Sequence, residues 1–333
     1  MEPSAQRIFV ALASYCEPEL VLTIEDCLRR ANHPQRLRFG IFHQFDEDGG
    51  PEVQAGCLDH LADDERFRIG VWDHREGRGG CWARHWVQGF YEGEEHTLQV
   101  DAHTRFADGW DDLLVDMAHR LPSDRPVITG FPPPYWREAD EDVIDRTSVD
   151  AVPSTRCMEW SPDGWIDHPS EFVDHGIAAP RRQRLVSGAF VFAPGSWNVD
   201  IRQDPGHLYA GEEFALSLRS FTHGYDLFQP DRVVVWHRSH PHTTRRWIGD
   251  FPDAAVDARH QRAMSRLRLL LAGDPDGRLG PYSLGTERDL EDYRLYAGLD
   301  CATYTIHPDA MAGIPPDPVT IREPRHASGR SPR

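Results

Sequence analysis

From residue 7 to residue 101 short apolar runs alternate with amphipathic stretches, and this alternation constrains the fold more than any other feature of the chain. Runs at 7–13 (RIFVALA), 38–44 (RFGIFHQ), 66–72 (RFRIGVW) and 97–100 read as strands: they are short, rich in β-branched and aromatic residues, and bounded by polar or turn-forming residues. Within 18–30, Leu20, Ile24, Cys27 and Leu28 recur on one helical face, and Pro18 falls near the first turn, where its missing N–H costs nothing. Residues 79–91 open on glycines and run helically through Trp82, Trp86 and Phe90. Strands alternating with helices at this spacing predict βαβ units, hence an α/β fold with a central, mostly parallel sheet.

The second half has a different texture. Residues 132–134 and 138–145 read as a long surface excursion, and 157–169 carries turn signals around Trp160 and Trp165. Strand patterns return at 185–193 (LVSGAFVFA) and 232–236 (RVVVW), and helical patterns at 211–221, 256–271 and 287–298. No internal repeat or obvious linker divides the chain. The expectation is one domain over 1–310 with a helical appendage from about residue 250, followed by a disordered Pro-, Arg- and Ser-rich tail at 314–333.

Charge and composition remove several classes of chemistry. The 333 residues include 36 basic and 54 acidic side chains, a net charge of −18, and lysine is absent, so every permanent cation is an arginine. P-loop phosphate cradles, protein-kinase sites, pyridoxal Schiff bases and Ser-Lys hydrolases all need a lysine and are excluded. Arginine can still clamp a phosphate or carboxylate through its planar fork. Nucleic acid is not expected as a partner, because binding it rests on a basic face and none is legible. The six cysteines form no C-x-x-C pair, which fits a reducing compartment. No apolar run approaches the roughly 20 residues that span a bilayer. Residues 1–6 lead straight into a strand pattern, so the expectation is a soluble, cytoplasmic protein with no membrane partner.

The sharpest local signal is Leu98-Gln99-Val100-Asp101-Ala102-His103. In open α/β sheets ligands sit beyond the carboxyl ends of the strands. This strand delivers a carboxylate and an imidazole there, two residues apart, so an extended chain places both on one side, where they can share a divalent ion. The competing reading makes Asp101 a turn cap and His103 an exposed loop histidine. Ser14, Tyr15, Cys16 and Glu17 follow the first strand, and Ser14 suits a helix N-cap. The Gly77-Arg78-Gly79-Gly80 turn and Arg84 open the helix before the Asp101 strand. Such an entrance presents N–H groups to an anion, although glycines serve turn geometry equally well. Glu212 and Glu213 begin a later helix, where the dipole favours carboxylates in any case. Trp236-His237-Arg238, with His240 and His242 close by, reads either as a donor set or as a His-rich loop.

Taken in order, Ala83-Arg84, Gly89, Leu98 to His103, Gly109-Trp110, Leu113-Leu114, Ser187-Gly188-Ala189-Phe190, Gly211-Glu212-Glu213-Phe214 with Arg219, and Trp236-His237-Arg238 form a set that resembles the GT-A glycosyltransferases acting on protein hydroxyls. The nearer likeness is to the Skp1-type hydroxyproline GlcNAc-transferase family, and the polypeptide GalNAc-transferases are more distant. It covers residues 7–240 and, more loosely, extends to about 300.

The resemblance implies a GT-A, Rossmann-like nucleotide-sugar-binding fold. It matches Asp101 and His103 to the DxD/DxH element that holds a divalent ion, usually Mn²⁺ and alternatively Mg²⁺, across the donor diphosphate. His237 matches the distal histidine ligand, with His240 and His242 as possible replacements. A hard diphosphate with carboxylate and imidazole suits such ions without thiolate. By the same likeness Ser14, Tyr15 and Glu17 seat the uridine, and Arg78 or Arg84 counters the diphosphate. Arg238, Arg245 and Arg246 belong to a closing loop, Gly188 lets the donor sugar approach the backbone, and Glu212 or Glu213 bonds its hydroxyls. Asp101, Glu212 and Glu213 are thus the candidate catalytic residues, while Trp110 and Trp197 are assigned to packing. The implied activity is metal-dependent transfer of N-acetylglucosamine, or a related hexose, from a UDP-sugar to a hydroxyl of a peptide, protein or small molecule. The implied stereochemistry is retention, with no residue assigned as a covalent nucleophile, and residues 131–184 shape the acceptor cleft. The Arg-only, Ala/Gly/Pro-rich composition looks bacterial, so a eukaryotic acceptor is not assumed. Two rivals use the same residues: a metal-dependent nucleotide-sugar hydrolase or nucleotidyltransferase, and a catalytically silent nucleotide-sugar-binding protein.

Overall fold

In a computed structural model, which describes residues 6–138, 141–146, 150, 152–171, 179–238 and 246–317, the first elements follow the expected alternation. They are β1 (Ile8–Tyr15), α1 (Leu20–Arg30), β2 (Leu37–Phe45), β3 (Phe67–Asp73), α2 (Gly80–Gln88) and β4 (His96–Asp101), then β5 (Thr104–Phe106), α3 (Trp110–Arg120) and β6 (Pro126–Thr129). The two faces of β1 explain the layering. Ile8, Val10 and Leu12 join a core with Leu20, Ile24 and Cys27 of α1 and Trp110 and Leu114 of α3. Phe9 and Ala11 pack instead with Trp82, Ala83 and Val87 of α2. Alternate side chains thus reach helices on opposite faces, and a strand covered on both faces reads as a continuous apolar run. Gly40 in β2 is required by this packing, since a Cβ there would lie 2.4 Å from Cζ of Phe9.

The region read as a surface excursion folds into strands. β7 (Pro134–Glu138) and β8 (Glu141–Val143) pair as an antiparallel hairpin, in which Trp136 faces Val143. After them come five two-residue strands: β9 (Ser154–Thr155), β10 (Glu159–Trp160), β11 (Ile166–Asp167), β12 (Ser170–Glu171) and β13 (Arg181–Arg182). The strand expected at 185–193 is shorter: β14 is Phe190–Pro194, and Gly188 lies in the turn before it, with Ser187 bridging back to Phe190. α4 (Trp197–Asp200), α5 (Glu212–Thr222) and β15 (Asp226–Gln229) follow. The strand expected at 232–236 is displaced to β16 (Val235–Arg238), where its partners β5 and β7 lie. α6 (Arg246–Gly249), α7 (Asp253–Leu271) and α8 (Leu290–Ala297) complete the larger elements. Ser14 is not the cap of α1. It is a residue of β1, and Glu19 occupies the N-cap position, because Pro18 delays the helix start.

The main sheet has the order β13-β15-β6-β14-β4-β1-β2-β3. β1 runs parallel to β2 and β4, β2 to β3, and β6 to β15, whereas β14 runs antiparallel between β4 and β6. A second sheet, β5-β16-β7-β8, stands at the carboxyl end of β4. A further core joins α5, α7 and α8 through Phe214, Leu218, Phe221, Leu267, Leu270, Tyr293 and Tyr296. Trp110 and Trp197 are fully buried, in keeping with packing. Among the described residues no helix is long and apolar enough to cross a membrane. Of the tail at 314–333, the part from 318 on lies outside the described residues, as do His240, His242 and Arg245.

Candidate active site

Strand pairing brings together side chains far apart in sequence. β4 runs beside β1 as far as the Ala13–Asp101 pair, so Asp101 stands at the same end of the sheet as Tyr15. The chain then turns through Ala102 and His103 into β5, whose Thr104 pairs with His237 of β16. The Arg238 amide donates to the His103 carbonyl at 3.0 Å, fixing this register. As a result Asp101, His103 and His237 converge, each offering one donor atom, with all three atoms within 4.8 Å of one another. The Nε2 atoms of the two histidines are 2.8 Å apart, and His237 Nε2 is 3.2 Å from Asp101 Oδ2.

Two members of this trio are braced by side chains outside it. His103 Nδ1 lies 2.9 Å from Glu17 Oε2, which orients the ring and leaves Nε2 facing His237. Arg84 of α2 donates to Asp101 Oδ1 at 2.9 Å and also bonds Glu212 of α5. Burial pushes the Asp101 carboxyl up, but its contact with His237 and the nearby Arg84 and His103 outweigh this and hold it well below the ordinary carboxylate range. Glu212 shifts the other way: burial raises it more than Arg84 lowers it, and the Cys81 thiol donates to its second oxygen. Burial lowers His103, yet Glu17 and Asp101 raise it overall.

Glu213, the neighbour of Glu212, faces a different set of groups. Its Oε1 accepts from the Gly188 amide at 2.6 Å, and its Oε2 lies 2.9 Å from His168 Nε2. Gln99 of β4 donates to the Gly188 carbonyl at 2.8 Å, tying the turn to the strand that carries Asp101. Gly188 has no room for a side chain, since a Cβ would lie 2.8 Å from Arg84 Nη1 and 3.0 Å from Glu212 Oε1. The structure therefore links Glu17, His103, His237, Asp101, Arg84 and Glu212 in one chain of contacts, with Gly188 and Glu213 alongside.

The remaining predicted residues are placed as follows. Ser14 is buried and its hydroxyl has no hydrogen-bond partner among the described residues, and Tyr15 donates to Asp250 at 3.0 Å with its ring edge-on to His74. Arg78 lies over the Trp82 ring, 5.8 Å from its centroid, and makes no ion pair among the described residues. The Arg238 guanidinium donates to Glu19 at 2.9 Å, while its backbone amide is the one that bonds the His103 carbonyl.

Several residues at this end were missed by pattern reading. Glu19 is a buried carboxylate that bonds Arg105, Arg137 and Arg238. Burial raises it, but the three guanidiniums bring it below its ordinary value. His168 lies in a segment with no periodicity to announce it. Cys16, Asp46 and His74 form a second group of donors, also within 4.8 Å of one another, just past the ends of β1, β2 and β3. Cys16 adopts φ 47°, uncommon outside glycine, while its amide donates to the Gln44 carbonyl at 2.8 Å.

A family model described as Glycosyltransferase (GlcNAc) matches residues 7–63 and 51–303. No curated protein matches the chain. Among solved structures, "Crystal structure of GalNAc-T7 with UDP, GalNAc and Mn2+" is similar, with a TM-score of 0.57 and 15% identity over 88% of this chain and 54% of that one. The chain thus spans about half the length of that transferase, and the likeness shows a shared α/β fold of the GT-A kind. With the family model matching most of its length, the chain belongs to the GlcNAc glycosyltransferase family.

Proposed function

We propose that the chain transfers N-acetylglucosamine, or a related hexose, from a UDP-sugar to a hydroxyl on a peptide, protein or small molecule, with retention and with a divalent cation. The observation that carries this reading is the convergence of Asp101, His103 and His237 at the carboxyl end of β4 in a chain of this family. Two imidazoles and one carboxylate, without a thiolate, form a donor set suited to Mn²⁺, with Mg²⁺ as the harder alternative. These three residues would hold the ion, which when bound supplies Lewis-acid stabilisation for the charge of the departing diphosphate.

The other roles belong to the protein. Arg84 is committed to Asp101 and Glu212, which makes Arg78 the better candidate to meet the diphosphate. Glu213, held by the Gly188 amide, is placed to accept hydrogen bonds from the hydroxyls of the donor sugar. Glu212 acts through Arg84, keeping it on Asp101. Ser14, Tyr15 and Glu17 form the proposed uridine seat. We place the acceptor cleft along 131–184, and the six free cysteines support action in a reducing, cytoplasmic setting.

Calorimetric titration of the protein with UDP-sugars, with and without Mn²⁺, tests the proposal. The expected outcome is binding strengthened at least about tenfold by the cation. Absence of UDP binding under both conditions would remove the transferase reading.

A further inference from the structure

His168 sits between β11 and β12, buried except for a small part of its ring, and touches two groups that are both acceptors. Its Nδ1 lies 2.7 Å from the Ile166 carbonyl oxygen and its Nε2 lies 2.9 Å from Glu213 Oε2. A neutral imidazole has a single N–H and cannot donate to both. Two protonation patterns satisfy the contacts: an imidazolium facing a carboxylate, or a neutral histidine accepting a proton from a neutral Glu213.

Three observations select the ionic pattern. Glu213 lies in the first turn of α5, where the helix dipole favours negative charge. Its other oxygen accepts a 2.6 Å bond from the Gly188 amide, and bonds to an ionised acceptor are shorter than those to a neutral one. Burial opposes a charged ring, but the groups facing the imidazole outweigh it. They are the Glu213 carboxylate from α5, the Ile166 carbonyl and Asp167 carboxylate from β11, and the Phe131 ring, centred 5.7 Å away, from the segment between β6 and β7.

We propose that His168 is a positioning residue: as an imidazolium it fixes Glu213, together with the Gly188 amide, as an ionised carboxylate in a single orientation toward the donor sugar. This rests on the transferase reading given above. Both carboxylate oxygens are then anchored, Oε1 by a backbone group and Oε2 by a ring that cannot turn without giving up the Ile166 carbonyl. The remaining lone pairs are presented to sugar hydroxyls in a fixed direction. His168 also belongs to the stretch assigned to the acceptor cleft, so the sugar-facing carboxylate is coupled to the segment expected to touch the acceptor.

The test uses the full chain and two readouts. In ¹⁵N spectra of the unliganded protein, the two ring nitrogens of His168 should have nearly equal shifts near neutral pH, as in an imidazolium. In the Glu213→Gln variant they should separate, as in a neutral ring. A neutral pattern in the wild-type protein, or shifts unmoved by Glu213→Gln, overturns the proposal. In steady-state assays His168→Ala should lower kcat about ten- to a hundredfold, with UDP affinity kept. His168→Gln, whose amide can still reach Glu213, should recover most of the loss. Adding His168→Ala to Glu213→Gln should cost little more than Glu213→Gln alone. Additive losses, or an equal fall in UDP affinity, would also overturn it. Should the wild-type protein fail to bind UDP, the transferase reading fails, while the nitrogen shifts still decide whether His168 holds Glu213 as stated.

Discussion

Two groups of donor atoms stand at the same end of the main sheet, and they differ in what surrounds them. Asp101, His103 and His237 come from the end of β4, the turn after it and β16, whereas Cys16, Asp46 and His74 come from the residues just past β1, β2 and β3. In the first group a side chain from another element braces the donors: Glu17 on His103 and Arg84 on Asp101. In the second, His74 Nδ1 lies 3.0 Å from the Phe45 carbonyl and 4.0 Å from Asp46 Oδ1, and one donor is a thiol. Closeness alone therefore does not separate them. Donor chemistry does, and on the proposed function it gives the hard cation of a diphosphate to Asp101, His103 and His237.

That contrast can be broken by substitution. Asp101→Ala should have the largest effect, lowering cation-dependent donor cleavage by about a thousandfold, as read by UDP release with and without Mn²⁺. Full retained activity would end the assignment. Arg84→Met should come next. It leaves two largely buried carboxylates, Asp101 and Glu212, without their shared guanidinium and should cost about 3 kcal/mol in denaturant unfolding. Glu212→Gln in the same chain should recover part of that loss, and no recovery would mean that Arg84 serves some other contact. Glu17→Gln should weaken Mn²⁺ binding by about tenfold, because it removes the group that orients His103. Manganese titration followed by electron paramagnetic resonance would measure it. Cys16→Ser should have the smallest effect, leaving the Mn²⁺ dependence of donor binding within about twofold, since a thiol contributes little to a site of hard ligands. A large loss of Mn²⁺ binding in that variant would reverse the ranking of the two groups.

The same contrast governs what could be read from sequence. β1 and β2 were legible because apolar side chains pack on both of their faces, and β4 because Leu98 and Val100 alternate with polar residues up to Asp101 at its visible end. β7 and β8 were not, because their polar residues face partners from elsewhere. Asp142, within what looks like an acidic loop, bonds Arg105 of β5, and Arg137 bonds Glu19. The strand read through 185–193 failed at Gly188, where the small residue marks a turn packed against Arg84 and Glu212. The pairings that organise the site span distances no local pattern records: Arg84 meets Glu212 across 128 positions, and His168 meets Glu213 across 45. Charged residues were visible as candidates, but their partners were a product of topology.

The reversed direction of β14 has one further consequence. Where every strand runs the same way, the ligand-facing rim is made of departing chain. β14, of opposite sense to β4 and β6 on either side of it, enters the sheet at that rim and brings an arriving segment, with its amide hydrogens, into a border of departing ones. The Gly188 N–H on Glu213 is such a group. An enzyme without lysine thereby gains a fixed, uncharged donor beside its acidic residues, supplied by the wiring of the sheet instead of by a side chain.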